Sequence, residues 1–294
     1  MSEKKVSAMQ AGAVSFGNEI SVHRLGYGAM RLTGAGVWGP PKDRKAALAV
    51  LRRAVELGVN FIDTADSYGP HVNEELIAEA LHPYQAGLVI ATKGGWERPG
   101  PDQWTRNAKP DHLRKAVEGS LKRLRLDRID VYQLHVPDPA VPFDASIETL
   151  DELKRQGKLR MIGLSNVTEE QVEQARRIVP IVSVQNRYNF AHRESDALVD
   201  YCQRNRIVFI PWYPLEGGGV AGETLNRIAK AHGATAMQVA LAWLLRRSSV
   251  MLPIPGTSSI EHLEENVSAA TLHLRDEEFE ELARGSDGTN KSGS

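Results

Sequence analysis

The chain has 294 residues, with 36 Lys and Arg against 37 Asp and Glu, for a formal net charge of −1. Hydrophobic residues make up 41% and charged residues 25%, the balance of a globular protein, and no long single-sign run offers a surface to nucleic acid. One cysteine, Cys202, excludes a disulfide framework or thiolate metal cluster, and no apolar run approaches the about 20 residues of a membrane span, so the expected setting is cytoplasmic.

Taken in order, residues 13–16 and 19–22 flank Gly17-Asn18, which signals a β-hairpin. Residues 24–28 read as a first strand. A helix over 45–57 puts Leu48, Leu51 and Val55 on one face and stops at Gly58. Strand 60–64, helix 74–81 and strand 88–92 follow, then a helix over 111–124 with Leu113, Val117, Leu121 and Leu124 in one stripe. The alternation continues with strand 128–134, helix 145–156, strand 161–164 and helix 168–178, with Thr168 as its N-cap. Strand 181–184, helix 194–205 and strand 207–210 come next, then helices 223–232 and 237–246, strand 250–253 and helix 260–270. Residues 285–294 are rich in Gly and Ser and are expected to fray.

Eight strands separated by helices imply parallel pairing and an α/β fold, and eight can close on themselves. The expected architecture is a (β/α)8 TIM barrel with an N-terminal β-hairpin cap, in a single domain. An open doubly wound sheet is the alternative, but its Gly-x-Gly-x-x-Gly turn is absent after the first strand.

In such barrels chemistry gathers where strands end and their following loops begin. The second strand ends at Asp63, with Tyr68 just beyond; the third leads to Lys93 and the fourth to His135. Each has a plain reading as cap, surface charge, core histidine or loop aromatic. Together they make a set in which an ammonium, anchored by a carboxylate, makes a phenol a better proton donor. A neutral His135 then orients a carbonyl by hydrogen bonding. The His, Asp and Glu spacing offers no metal-ligand cluster. Later strand ends are polar as well: Ser165-Asn166 and Gln185-Asn186 can hold a carboxamide. Trp212, in Trp212-Tyr213-Pro214-Leu215, offers a stacking face before the run Gly217-Gly218-Gly219. The stretch Gly256-Thr257-Ser258-Ser259 opens a helix, either as a phosphate site or as an ordinary N-cap. Trp38, Trp96 and Trp104 fall in loops at the expected mouth and suit an aromatic substrate wall.

The ordered set Phe61-Ile62-Asp63-Thr64-Ala65-x-x-Tyr68-Gly69, Lys93, His135, Gly163-Leu164-Ser165-Asn166, Gln185-Asn186-x-Tyr188-Asn189 and Ile254-Pro255-Gly256-Thr257 resembles the aldo-keto reductase family over nearly the whole chain. The resemblance implies reduction of an aldehyde or ketone with NADPH, NADH being the alternative. Tyr68 is then the general acid, Lys93 and Asp63 tune it, and His135 orients the small-molecule substrate. It further implies Ser165, Asn166 and Gln185 on the carboxamide, Trp212 on the nicotinamide, and Leu215 and Gly217 along the pyrophosphate. Gly28, Ala29, Met30, Tyr213 and Pro214 line the same cofactor, with Gly256, Thr257, Ser258, Ser259, His262, Glu265 and Asn266 at its adenosine end. Two departures stand out: many members carry a lysine where Gly256 stands and an arginine where His262 stands. A closer likeness in Val37-Trp38-Gly39-Pro40-Pro41, Tyr68-Gly69-Pro70-His71 and Ala191-His192-Arg193 is to a bacterial branch that includes pyridoxal reductases, which implies an aromatic aldehyde bearing hydroxyl groups. A monomer or weak homo-oligomer is expected. The competing readings are a non-catalytic cofactor-binding regulatory subunit and a Schiff-base lyase working through Lys93. Carbon–carbon double-bond reduction is disfavoured, because that branch has Glu where His135 stands.

Overall fold

A computed structural model of the chain describes residues 6–215 and 222–285. The expectations placed on Gly217 and on residues 286–294 lie outside the described residues.

Strands β1 (Ala13–Phe16) and β2 (Ile20–His23) pair antiparallel as the expected hairpin, with Val14, Phe16, Ile20 and Val22 turned inward. Parallel strands β3 (Tyr27–Gly28), β4 (Phe61–Asp63) and β5 (Val89–Gly94) follow. A second hairpin, β6 (Trp96–Gly100) and β7 (Gln103–Arg106), interrupts them. The parallel sheet then resumes with β8 (Ile129–Leu134), β9 (Leu159–Ser165), β10 (Ile181–Gln185) and β11 (Val208–Phe209). Seven of these strands form one curled sheet, and residues 250–254 bridge its two edges. On one side Phe209 N donates to Val250 O and Leu252 N to Phe209 O, both at 2.9 Å; on the other Gly26 N donates to Pro253 O, also at 2.9 Å. Pro253 and Pro255 have no N–H to give, so this eighth strand closes the barrel through a few bonds rather than a full ladder.

Around the barrel lie α1 (Arg44–Glu56), α2 (Val72–Leu81), α3 (Pro110–Leu124), α4 (Phe143–Arg155), α5 (Glu169–Arg176), α6 (Asp196–Asn205), α7 (Glu223–His232), α8 (Ala236–Arg247), α9 (Ile260–Ser268) and α10 (Asp276–Gly285). Side-chain caps mark several starts. Asp43 accepts from Ala46 N ahead of α1, and reciprocal capping boxes join Thr168 to Gln171 and Thr235 to Gln238. The barrel interior below the rim is filled by Phe61, Val89, Ala91, Val131, Met161, Val208 and Leu252. The N-terminal hairpin plugs that end, with Phe16 stacked on Phe61 at a ring separation of 5.3 Å. The opposite rim is left open for polar residues.

Three elements differ from the sequence expectation. Residues 96–106 form a hairpin where the tryptophans suggested loops. The expected first and eighth strands shrink to Tyr27–Gly28 and a single bridge at Met251. The acidic stretch Asp276–Gly285 is a helix that no expected element covered; its Phe279 stacks on Trp243, with ring centroids 6.0 Å apart.

Candidate active site

Asp63 closes β4, Lys93 stands near the end of β5, and both side chains point into the barrel just beneath its rim. Lys93 is wholly buried and Asp63 nearly so. Lys93 Nζ donates to Asp63 Oδ1 at 2.6 Å and to the Thr64 carbonyl at 2.7 Å. The other carboxylate oxygen accepts from Gln185 Nε2 at 2.9 Å and Gln133 Nε2 at 3.2 Å. A buried ion pair holds only when its remaining hydrogen-bonding capacity is met, and two glutamines from β10 and β8 meet it here. Burial pushes the Lys93 ammonium toward losing its proton. The Asp63 carboxylate, with hydrogen bonds to Asp63 and Tyr68, outweighs that and holds it above the usual lysine value.

Tyr68 lies over this pair, on the turn between β4 and α2, with Lys93 Nζ 5.2 Å from its ring centre. Burial raises the phenol above its usual range, while the Lys93 charge and a hydrogen bond to it pull the other way. The ammonium alone would have made the phenol acidic; desolvation wins, so the phenol keeps its proton at neutral pH and has one to give. His135, just beyond β8, faces Tyr68 edge-on at 5.8 Å. Burial first, then the Lys93 charge, holds its imidazole well below the usual histidine value, so it is neutral.

These groups stand at one end of a cavity of about 740 Å³. Its outer wall is aromatic: Trp104 meets Tyr68 at 6.5 Å, and Trp96 meets His135 at 6.3 Å and Trp104 at 5.8 Å. Arg98 fixes that wall. Its guanidinium sits 3.6 Å from the Trp104 ring centre and donates to the carbonyls of Gly36, Val37, Ser67 and Gln103. It thereby ties the second hairpin to the turn carrying Tyr68. Trp38 does not line the cavity; its ring centre stands 5.8 Å from the Arg98 guanidinium, so it touches the residue that fixes the wall rather than forming the wall.

The same cavity continues as a groove lined by Ser165, Asn166, Gln185, Trp212, Tyr213, Pro214 and Leu215, and by Gly28 (which pairs with Asp63), Met30, Gly256, His262 and Asn266. Asn166 is held in the left-handed region (φ 58°). Its Nδ2 donates to His135 O at 3.0 Å and its Oδ1 accepts from Trp212 Nε1 at 3.1 Å, which sets the indole on the groove wall. Five residues expected at the cofactor are not on that wall. Ala29 is packed into the core beneath. Ser259 caps α9 by accepting from His262 N, and Thr257 Oγ1 accepts from Ser259 N at 3.1 Å. Ser258 and Glu265 also fall outside it. Sequence reasoning missed Gln133, Arg31 and Arg106. Gln133 was readable, since it lies two residues before His135, which directly follows β8, and so faces the same way. No local signal marked Arg31 or Arg106.

A retained phenolic proton beside a long groove, mostly apolar with a few amides and hydroxyls, is the layout of an oxidoreductase that works with a dinucleotide. The residues present fit such a group: the groove is bare main chain at Gly28 and Gly256, where a Cβ would meet backbone at 2.7 and 2.6 Å, and amide-lined near Tyr68. The comparisons carry this further. Residues 24–286 match the Aldo/keto reductase family. The chain is 51% identical over 264 residues to pyridoxine 4-dehydrogenase of Escherichia coli, covering 87% of this chain and 92% of that protein. It is 48% identical over 279 residues to an uncharacterized oxidoreductase of Schizosaccharomyces pombe, covering 94% and 90%. A Klebsiella pneumoniae aldo-keto reductase solved with NADPH superposes with a TM-score of 0.79 at 28% identity, covering 92% of this chain and 94% of that one. The chain belongs to the aldo-keto reductase family, oxidoreductases that use NADP(H) to reduce carbonyl groups.

Proposed function

We propose that this enzyme reduces an aromatic aldehyde of the pyridoxal type to its alcohol with NADPH, with Tyr68 as proton donor. The observation that carries the reading is the Tyr68 phenol, still protonated, above the buried Lys93–Asp63 pair and beside neutral His135. When bound, the dinucleotide supplies a hydride at the Tyr68 end of the groove. Ser165, Asn166 and Gln185 would hold its carboxamide, and Trp212 would stack on its ring. Tyr68 gives its proton to the carbonyl oxygen, and the Lys93 ammonium steadies the phenolate left behind. His135 hydrogen-bonds the same oxygen and fixes its direction. Trp96 and Trp104 exclude water and give a flat ring a surface to lie against. The pyridoxine 4-dehydrogenase relative points to the substrate class.

A Schiff base through Lys93 has no support. Its amine is buried, charged and shared between Asp63 and a backbone carbonyl, whereas a nucleophilic amine must be neutral and reachable.

The test is a steady-state screen of NADPH oxidation against a panel of aldehydes and ketones that includes pyridoxal. Pyridoxal is expected among the substrates with the highest kcat/KM. No turnover of any carbonyl would overturn the function, and turnover of aliphatic aldehydes alone would overturn the substrate class.

A further inference from the structure

The Gly256 side of the groove lacks both cations that the family resemblance led one to expect, since position 256 is glycine and 262 is histidine. Geometry explains the first. A Cβ on Gly256 would lie 2.6 Å from the Gly28 carbonyl oxygen, and one on Gly28 would lie 2.7 Å from the Ile254 carbonyl oxygen. These obstacles are backbone, which does not swing aside as a side chain does. The contact is locked from below by buried Tyr27, whose hydroxyl donates to the Thr257 carbonyl at 2.5 Å. No lysine fits at 256 while the two loops stay this close.

The same close approach brings a different cation to the place. The single helical turn Ala29–Leu32 leaves β3 here, with Arg31 in it. Arg31 Cγ lies 3.5 Å from where the Gly256 Cβ would be. Arg31 borders the groove together with Gly256, His262 and Asn266. It is exposed, and among the described residues no carboxylate pairs with it. Among the described residues it is therefore a guanidinium without a counter-charge, on the groove wall near the N-terminus of α9. A guanidinium presents paired N–H donors that match phosphate oxygens, and a helix N-terminus adds further donors.

We propose that Arg31 recognises the 2′-phosphate of NADPH and so sets the preference over NADH, replacing the lysine that position 256 has no room for. The inference rests on the reading above that the groove binds a nicotinamide dinucleotide, and it adds the residue and the discrimination.

Isothermal titration of NADPH, NADH, 2′,5′-ADP and 5′-AMP into the wild type, Arg31→Gln and Arg31→Lys decides it. Arg31→Gln is expected to weaken NADPH and 2′,5′-ADP by about ten- to a hundredfold, the range of a charge-assisted hydrogen bond. NADH and 5′-AMP should stay within about twofold, and Arg31→Lys should recover most of the loss. Equal weakening of both dinucleotides would place Arg31 on a phosphate they share and overturn the proposal, as would unchanged NADPH binding. Failure of the wild type to bind either dinucleotide would instead overturn the functional reading beneath it. Arg31 is exposed, so the melting temperature of each variant should match the wild type and exclude misfolding as the cause.

Discussion

At the Tyr68 end of the groove each charged side chain is held by others: the Lys93 amine by Asp63 and Thr64, and the Asp63 carboxylate by Lys93, Gln133 and Gln185, all between 2.6 and 3.2 Å. On the Gly256 side the wall is main chain, brought close by two facing glycines, and among the described residues the Arg31 cation borders it from the surface. The first region is dry and rigid, suited to fixing where a proton goes. The second is open and wet, suited to grasping a charged group that arrives and leaves. Charge at the first end acts in a low dielectric and is worth much; at the second it is screened by water and salt.

The largest effect that would sharpen this contrast belongs to Tyr68→Phe. It keeps the ring contacts with Trp104 and His135 and removes only the proton, so kcat should fall by about 10²- to 10⁴-fold. The dissociation constant of NADPH should stay within about twofold. Single-turnover rates and equilibrium titration measure the two separately, and retained turnover would remove Tyr68 from its role.

Lys93→Met comes next and tests whether the pair acts as a unit. It leaves the Asp63 carboxylate buried beside two glutamine amides, and stability should drop by about 3–5 kcal/mol in urea denaturation. Adding Asp63→Asn should restore most of that stability and none of the activity. Stability that stays low in the double variant would mean the loss comes from packing rather than from a stranded charge.

How much of each region was legible in sequence follows from the same contrast. Asp63, Lys93 and His135 are polar residues at the ends of apolar runs, where barrel geometry directs attention. Gln133 sits inside the run 129–134 and was passed over as part of a strand, although its spacing to His135 places it on the same face. The hairpin of residues 96–106 depends on Arg98 reaching four carbonyls on three separate segments, which no local pattern reveals. The helix Asp276–Gly285 reads as polar because its stability comes from Phe279 and Leu282 packing on distant α7 and α8. On the Gly256 side the absence of a lysine at 256 was visible. Its cause was not, because Gly28 and Gly256 meet only once the barrel closes.

Gly256→Ala perturbs that end alone. Its Cβ would press on the Gly28 carbonyl at 2.6 Å and push the two loops apart, a cost of about 1–3 kcal/mol for forced overpacking. NADPH and NADH should both weaken, and kcat at saturating cofactor should be nearly unchanged. Gly256→Lys carries the same clash and should not tighten NADPH, although many family members carry a lysine there. If Gly256→Ala left both affinities unchanged, the close approach would have no part in binding.

The smallest effect returns to the buried end and is read through pH. Burial and the Lys93 charge hold the His135 imidazole neutral in the fold, well below its usual value, whereas in the unfolded chain it titrates near about 6.5. Below that pH the unfolded chain takes up a proton that the folded protein refuses. Stability is thus full above about 6.5 and declines as pH falls toward the depressed folded value, by up to about 1.4 kcal/mol per pH unit from this group. His71 and His112 are also lowered, chiefly by burial, so the total slope is shared. His135→Asn should therefore flatten the stability curve between pH 6.5 and about 5 without abolishing the slope. In the wild type, kcat should show no inflection near 6.5, because the imidazole facing the substrate is already neutral on both sides of that pH. An inflection there that disappeared in His135→Asn would mean the bound state exposes this residue to water, and the dry end of the groove would be wetter than its geometry implies.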